Sequence, residues 1–496
     1  MALATAALPP AALPAALPPA APPAPPCLPF CVCTPTSYSC RGRNISAFPP
    51  DTFAAWPLLE SIDLSFNNAS SLPAGLFRGL SSLQSLDVSA NPLAALPSGW
   101  LAGLPALARL NLAGLPLAAA FDAARVLGAL PALTDLYLDA PTLLGGGGAC
   151  PDLSPLASLA PRLATLTSRH GLTSIPPRAF AGLNLTSLDL SYSKFPALTN
   201  DSFAGLACGE VKLEWSGIAA IAPRAFSGLT AGNIDLYFNQ ITAESIPEGG
   251  LLLPGVAALC LAGNPFDARM LARPLFASAP RLAGLDLMGG LGLGPYIGEL
   301  PSRAFASAPS LVTLQLFNSG ITGFAAGAFE GLPRLTSLNI GFNLGFSALP
   351  AGLLDPLPTL ETLVVNNGGL AGDAALRADA FARTPRLSQL DLSYNTGITS
   401  LPPGLLAGCD KLASIDLTFQ VAGDLQLAPG TFVGINASGT LRGNVTIQLV
   451  RNNMKGYKGF VAEPEIVAAI CAEARVSPAA CAVAWLPQAQ DEGKEV

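Results

Sequence analysis

The sequence is short of charge, of histidine and of basic residues, and each shortage excludes something. Only 12% of the 496 residues are charged, about half the share of an average soluble domain. A single histidine, His170, argues against a hydrolase triad and against a His-ligated metal centre, so neither a metal nor a cofactor is expected. Lys and Arg number 26 against 33 Asp and Glu, giving a net charge of −7 and no basic block, which makes nucleic acid an unexpected partner. Uninterrupted apolar runs are also missing. Met1 to Pro26 carries no charge but nine prolines, and Ile466 to Trp485 is broken by Glu473, Arg475 and Pro478, so no transmembrane segment is expected in this chain. Disorder is excluded from the other side, because half of the residues are hydrophobic.

What the chain does have is repetition. The frame L-x-x-L-x-L-x-x-N appears first at Leu59-Glu60-Ser61-Ile62-Asp63-Leu64-Ser65-Phe66-Asn67. It returns from Leu83, Leu107, Leu133, Leu163, Leu185, Cys208, Ala231, Val256, Leu282, Leu311, Leu335, Leu360, Leu387, Leu412 and Asn444. Sixteen starts between residues 59 and 444 give a mean period of about 26, the length of one turn of a one-strand-per-coil solenoid. The fourth position is Leu, Ile or Val in all sixteen copies, and the sixth in all but one, where Ser168 stands. Those two alternate with polar positions, as in a short strand with one buried face. The ninth is Asn at Asn67, Asn91, Asn239, Asn264, Asn343, Asn395 and Asn452. There an inward amide can satisfy backbone groups as the chain leaves the strand, which a Leu could not do.

Between the strands the chain reads Leu-Pro-x-x-x-Phe-x-x-Leu or close to it: Leu72-Pro73 to Phe77 and Leu80, Ile175-Pro176 to Phe180 and Leu183, Leu300-Pro301 to Phe305. With the strand frame, this resembles the leucine-rich repeat family, in the "typical" subclass of Toll-like receptor and Slit-type ectodomains, over about 400 residues. The resemblance implies an α/β solenoid: a right-handed horseshoe with a parallel concave sheet of about 16 strands and short helical, 3-10 or irregular convex segments. Three coils run long, from Leu133, Leu282 and Leu412; the first carries Gly145 to Gly148 and Cys150, the second Tyr296. Such loops either bind something or are tolerated insertions.

Four segments follow: a Pro/Ala-rich leader over 1–26, a cysteine-rich N-terminal cap over 27–58, the repeats over 59–455, and a non-standard helical C-terminal cap with a polar tail over 456–496. Cys27, Cys31, Cys33 and Cys40 could be disulfide-bonded or could bind zinc. The family's N-terminal cap implies the pairs Cys27–Cys33 and Cys31–Cys40. At the other end the family's cysteine-rich cap is missing; helices are expected from Glu463-Pro464 to Val476 and from Ser477-Pro478, bridged by Cys471 and Cys481. Cys150, Cys208, Cys260 and Cys409 lie in different coils and read as unpaired. Asn44, Asn68, Asn184, Asn200 and Asn436 are glycosylation candidates; the sequon at Asn444 falls on a strand start that is normally buried. The cap implies an extracellular or secreted protein, or a cell-surface ectodomain. The leader supports that poorly, lacking a basic start, and reads equally as an unusual signal, a misassigned gene start or a linker.

Seven of the sixteen fifth positions are Asp (Asp63, Asp87, Asp189, Asp235, Asp286, Asp391, Asp416) and only Lys212 is basic. Aromatic residues recur at the eighth: Phe66, Tyr192, Trp215, Phe238, Phe342, Tyr394 and Phe419. Leu-Asp-Leu-Ser-Tyr/Phe-Asn is close to the family's default strand, so much of this stripe follows from repetition. The middle of the array departs furthest from it, which singles out Tyr192, Lys212, Glu214, Trp215, Asp235, Tyr237 and Phe238 as ligand-binding candidates. A ladder of like carboxylates on an open face lacks the differentiated environments that acid–base catalysis needs, so no enzyme is expected. The expected function is non-enzymatic recognition of a protein or glycan on the concave face. The other readings are a matrix or cell-wall spacer and a secreted inhibitor or regulator of an extracellular enzyme.

Overall fold

The computed structural model describes residues 27–117, 122–139, 148–289 and 297–418, together with the backbones of the strands Gln426–Leu427, Val445–Gln448 and Cys481–Val483. One sheet of nineteen strands runs the length of the molecule. All sixteen expected repeat strands are in it, from Ser61–Asp63 to Val445–Gln448, each parallel to the next. The register is that of the repeat: Ile62 stands opposite Leu86, Leu188 opposite Val211, and Val211 opposite Ile234. Most strands are three residues long, with the fourth position of the frame buried and its neighbours half-buried. A side-chain period of two on a parallel strand makes any other result impossible without turning the leucines to solvent.

The return segments carry almost no helix. Short helices at Ala123–Leu127, Leu156–Leu159 and Ala268–Leu271 and a 3-10 turn at Ala243–Ser245 are the described ones. What the return segments do contribute is a column of buried rings. Phe180, Phe203 and Phe226 stack nearly parallel, with centroids 6.1 and 5.6 Å apart. Phe53 and Phe77 do the same at 5.8 Å, with Trp100 following at 5.9 Å. No coil could enclose such a ring alone; each is covered by its neighbours, which is how a quasi-one-dimensional stack acquires one continuous core.

The ninth-position asparagines bind coil to coil. Asn239 donates from Nδ2 to the carbonyls of Leu213 and Leu236, both at 2.9 Å, and its Oδ1 accepts from the N–H groups of Ser216 and Ile218, both at 3.0 Å. Asn67, Asn91, Asn264, Asn343 and Asn395 repeat the pattern. Asn452 lies outside the described residues.

At each end of the repeat array a further strand is added to the sheet. At the N-terminus Cys27–Cys33 and Cys31–Cys40 are disulfides, which removes the zinc alternative. They pin an antiparallel hairpin whose second strand, Ser37–Ser39, lies parallel to the first repeat strand. Tyr38 anchors it, buried edge-on against Phe53 and Trp56 at 5.0 and 5.4 Å. The C-terminal end brings a correction. The helix expected from Ser477-Pro478 is not formed at Cys481–Val483, which is instead a strand pairing in parallel with Val445–Gln448. A strand there satisfies the backbone groups that the last repeat strand would otherwise leave bare, and a helix would not. The expected helix from Glu463, the Cys471–Cys481 bridge and the sequon asparagines Asn436 and Asn444 fall outside the described residues or side chains, as do residues 140–147 and 290–296 of the first two long coils, Tyr296 included, and most of the third.

Cys150, Cys208, Cys260 and Cys409 are free, as expected. Burial, reinforced by Asp152, pushes the Cys150 thiol up to about 12. Burial, with Asp410 nearby, pushes the Cys409 thiol to about 12 as well. Both therefore stay protonated and pack as small hydrophobes.

Candidate functional site

The fifth-position aspartates first have to be separated from their structural duty. In all seven, Oδ1 accepts the N–H of the residue two places on: Ser65, Ser89, Ser191, Tyr237, Met288, Ser393 and Thr418, at 2.8 to 3.0 Å. Asn111 and Asn339 make the same bond to Ala113 and Gly341. The acidic stripe is thus largely a row of Asx turns where each strand ends, the same local device that favours Asp and Asn in turns elsewhere. Asp63 and Asp87 stand opposite each other in the register, as the repeat requires, but each holds its own turn.

The eighth positions, just past those turns, share a backbone conformation that the sequence did not announce. Phe66, Ala90, His170, Tyr192, Trp215, Phe238, Asn318, Phe342, Asn367 and Tyr394 all have φ between 46° and 67°, and Gly114 and Gly263 also lie in the left-handed region. Glycine and asparagine are the residues this conformation prefers, and a bulky side chain there costs roughly 1–2 kcal/mol. Yet four consecutive coils place rings on it: His170, Tyr192, Trp215 and Phe238. Tyr192 and Trp215 are 43% and 46% exposed, so burial does not offset that strain.

The rings form two groups. His170 and Tyr192 lie 5.5 Å apart, with the Arg169 guanidinium 6.0 Å from the Tyr192 ring. Trp215 stacks flat on Phe238, 4.1 Å between centroids and 8° between planes. Tyr237 stands across the pair, at 69° to Phe238 and 78° to Trp215. Phe238 in turn lies against Gly263, where any side-chain carbon would stand 2.6 Å from its Cδ2. Beneath them the asparagine ladder is interrupted: Gly171, Ser193 and Ser216 occupy the ninth position. Ser216 Oγ donates to the Glu214 carbonyl at 3.0 Å and reaches the preceding coil only at length, 3.4 Å from the Ser193 N–H and 3.5 Å from the Leu190 carbonyl, a poorer substitute for the amide.

Charge is unevenly compensated here. Arg169 binds Asp189 through Nε at 2.7 Å and Nη2 at 2.5 Å. Burial drives the Asp189 carboxyl up, but the Arg169 hydrogen bond and the Ser191 N–H together bring it below the usual range. Lys212 reaches Glu210 at 3.2 Å, and that bond raises its own pKa. Glu214 has no such partner among the described residues: burial, then repulsion from Asp235 and Asp189, hold its carboxyl above the usual range despite Lys212 and Arg169 nearby. Burial and repulsion from Asp235 likewise raise Asp286. The Tyr237 phenol is pushed up by burial and by Cys260, Glu214, Asp235 and Asp286, which places it among those groups.

Comparison with known proteins agrees with this geometry. A family model described as leucine rich repeat matches residues 40–93 and 57–117, and one described as a BspA type leucine rich repeat region matches 160–246. The chain is a leucine-rich repeat protein. A Xenopus tropicalis relative, leucine-rich repeat-containing G-protein coupled receptor 5, is 32% identical over 121 residues, which are 24% of this chain and 12% of the receptor. The chain therefore matches only about an eighth of that relative's length. Among solved structures, a Leptospira interrogans leucine-rich repeat protein superposes with a TM-score of 0.50 at 17% identity, covering 90% of this chain and 95% of that one. The Drosophila Toll–Spatzle complex gives 0.55 at 19% identity, covering 82% of this chain and 52% of the other. Both similarities concern the fold.

In this leucine-rich repeat array all seven candidates from the sequence are brought to one rim of the sheet, but not as one cluster. Trp215, Tyr237 and Phe238 touch, with Glu214 and Asp235 beside them; Tyr192 groups with His170, and Lys212 is occupied by Glu210. Sequence reasoning left Arg169 and His170 out of the site. The available signal was positional, since His170 holds the same frame position as Tyr192 and Trp215. The sequon residues Asn44, Asn68, Asn184 and Asn200 are all exposed. Among the described residues no group of three or more His, Cys, Asp or Glu side chains could hold a metal, and no helix is long and apolar enough to cross a membrane.

Proposed function

We propose that this leucine-rich repeat protein is a non-catalytic recognition module, extracellular and receptor-ectodomain-like, which binds a polypeptide or glycan along the concave face and its aromatic rim. One observation carries the reading: four successive coils hold rings on left-handed backbone, and two of those rings are nearly half exposed. Strain that the fold could shed by using glycine or asparagine, as it does at Gly114 and Asn318, is retained where a surface would use it. Exposed aromatic rings on a rigid sheet provide large contact area at little conformational entropy, which is why they dominate binding hot spots. The disulfide cap and the four exposed sequons support an oxidising, extracellular setting. The Toll–Spatzle structure is a complex of a protein with this fold, and the receptor relative has such repeats in its name; both support recognition as the use of the array.

The test is capture from extracellular material by the full chain and by the double variant W215A/F238A. The variant is expected to keep the unfolding midpoint of the parent within a few degrees and to lose the bound species. Equal capture by both proteins overturns the reading.

A further inference from the structure

The amide ladder breaks beneath His170 and Tyr192, and there two buried hydroxyls have no hydrogen-bond partner among the described residues. Where the ladder is complete, a sixth-position carbonyl is held from two sides. Leu64 accepts from Asn67 and Asn91 at 2.9 and 3.0 Å, and Leu236 from Asn239 and Asn264, both at 2.9 Å. Ser168 has neither rung, because Gly171 and Ser193 hold the ninth positions of its own coil and the next. It is also the one sixth position in the sixteen copies that is not Leu, Ile or Val.

Serine can serve as a rung unaided. Ser319, at the ninth position of its coil, donates from Oγ to the Leu287 carbonyl of the coil before it at 2.8 Å. The matching acceptor for Ser193 is the Ser168 carbonyl, and Ser193 Oγ makes no such bond. Ser193 and Ser168 are 4% and 1% exposed, so solvent at the surface does not supply the missing partner for either hydroxyl. Ser191 Oγ also lacks one, but it stands where Ser65 and Ser393 turn their hydroxyls onto the fifth-position aspartate, away from the ladder. The frame brings the other two to one point. A ninth-position amide reaches the sixth-position carbonyl of the preceding coil, as Asn91 reaches Leu64 at 3.0 Å and Asn239 reaches Leu213 at 2.9 Å, so position 193 looks onto residue 168. Both serines are shorter than the Asn and Leu of the frame, and a water needs only about 30 Å³. Leu166, Leu188 and Leu190 of the same two coils are fully buried, so nothing larger is admitted. Two hydroxyls buried bare at one rung would be costly, and a shared partner removes both costs.

We propose that this break is a hydration site: one internal water bridges Ser168 Oγ, Ser193 Oγ and the Ser168 carbonyl, doing for these two coils what an asparagine amide does for others. A hydroxyl can donate or accept, so the water donates to the carbonyl and completes its bonds with the two serines. Three partners are the usual number for a buried water. The site lies one residue behind His170 and Tyr192, so the joint under the first pair of rim rings is held by solvent rather than by a side chain.

The test is a high-resolution crystal structure of the full chain, beside two variants. A solvent peak is expected within about 2.5–3.2 Å of both Oγ atoms. S193N should lose that peak and put its own amide there, donating to the Ser168 and Leu190 carbonyls as Asn239 does to Leu213 and Leu236. S168A decides the energetics by sign. If the hydroxyl serves a water, its removal lowers the urea midpoint. If the hydroxyl is bare, its removal lifts a desolvation cost and raises the midpoint. A parent structure with each hydroxyl turned onto a backbone carbonyl and no water between them overturns the proposal. So does a peak that persists in S193N, or an unchanged or raised midpoint in S168A.

Discussion

The first two coils and the middle of the array share one frame and spend it differently. In the coils from Leu59 and Leu83, the fifth, seventh and ninth positions read Asp63, Ser65, Asn67 and Asp87, Ser89, Asn91. Nearly all of that polarity is consumed inside the fold. Asp63 accepts from both the N–H and the Oγ of Ser65, Asn67 binds the Cys40 and Leu64 carbonyls, and Phe66, though 55% exposed, has the Arg41 guanidinium over its ring. In the coils from Leu185, Cys208 and Ala231 the seventh position runs Ser191, Glu214, Tyr237, and the ninth Ser193, Ser216, Asn239. Glu214 there is repelled rather than paired, and Trp215 is half in solvent. The default residues of the repeat are structural parts, and the proposed recognition surface lies where they have been replaced.

The two regions should behave alike when what they share is broken. The ring column runs through both, with Phe77 between Phe53 and Trp100 and Phe203 between Phe180 and Phe226. Phe77→Ala and Phe203→Ala should each destabilise by about 4 kcal/mol, the usual range for a buried ring lost to a cavity. Urea unfolding curves check this. A far smaller loss at Phe203 would mean that the middle coils are loosely packed and that their departures reflect relaxed packing rather than use.

The ladder should separate the regions. Asn91→Ala removes an amide that donates to Leu64 and Val88 carbonyls and accepts from the Ala69 N–H, leaving buried backbone groups bare at about 2–3 kcal/mol. Ser216→Ala removes a hydroxyl with one good bond, to Glu214 O at 3.0 Å, and should cost about 1 kcal/mol or less. Equal losses would show that Ser216 replaces the amide fully and that the middle of the array is as regular as its start.

This contrast also explains what the sequence could and could not reveal. The coil count, the buried leucines and the role of the ninth-position amide follow from periodicity, because a strand with one dry face admits one register. The disulfide pairs followed from the family's cap. The double duty of the aspartates was not legible: Asp63 and Asp235 are the same letter in the same position, and only the hydrogen bonds to Ser65 and Tyr237 show that both begin as turn residues. Nor was the left-handed backbone under Trp215, since Gly114 and Asn318 announce it and Phe66 and Trp215 conceal it. The grouping of rings was hidden for a related reason. Spacing alone puts Tyr192 as near Trp215 as Phe238 is, whereas Tyr192 lies tilted against His170 and Trp215 stacks on Phe238. The C-terminal strand at Cys481–Val483 was missed because proline and alanine before it suggest a helix, while the bare edge of the last repeat decides for a strand.

Two neighbouring carboxylates should respond to pH in opposite senses. Asp189 has its pKa lowered in the fold by Arg169 and the Ser191 N–H, so its contribution to stability is present above the unfolded carboxylate value and disappears as pH falls through the folded one. Asp189→Asn should therefore lower the melting temperature at neutral pH and converge on the parent in acid. Glu214 has its pKa raised, first by burial and then by Asp235 and Asp189 against Lys212 and Arg169, so the parent carries a penalty above the folded value that lifts as pH drops. Glu214→Gln should raise the melting temperature slightly at neutral pH and lose that advantage in acid. Melting curves between pH 3 and 8 for both variants decide it, and a stabilising Asp189→Asn or a destabilising Glu214→Gln would show the charge map to be wrong.

Only a modest effect on stability is expected where the effect on recognition is largest. Replacing Trp215 by Gly removes a stacked pair with Phe238, worth about 0.5–1.5 kcal/mol, and relieves a left-handed residue at a similar roughly 1–2 kcal/mol. The greater freedom of glycine in the unfolded chain takes back part of that relief. Those terms nearly cancel, and the lost burial of the covered half of the indole then leaves a net cost of roughly 1–2 kcal/mol. At Phe66, a smaller ring that is 55% exposed, the exchange removes the contact with Arg41, about 0.5–1 kcal/mol, in place of a ring stack, so Phe66→Gly should be no more destabilising than Trp215→Gly. Urea midpoints for the two variants, measured beside ligand capture, give the comparison. If Trp215→Gly instead costs as much as a buried ring of the column, about 3–5 kcal/mol, then Trp215 is held in place by the fold like a core residue. Its exposure would then say nothing about a partner.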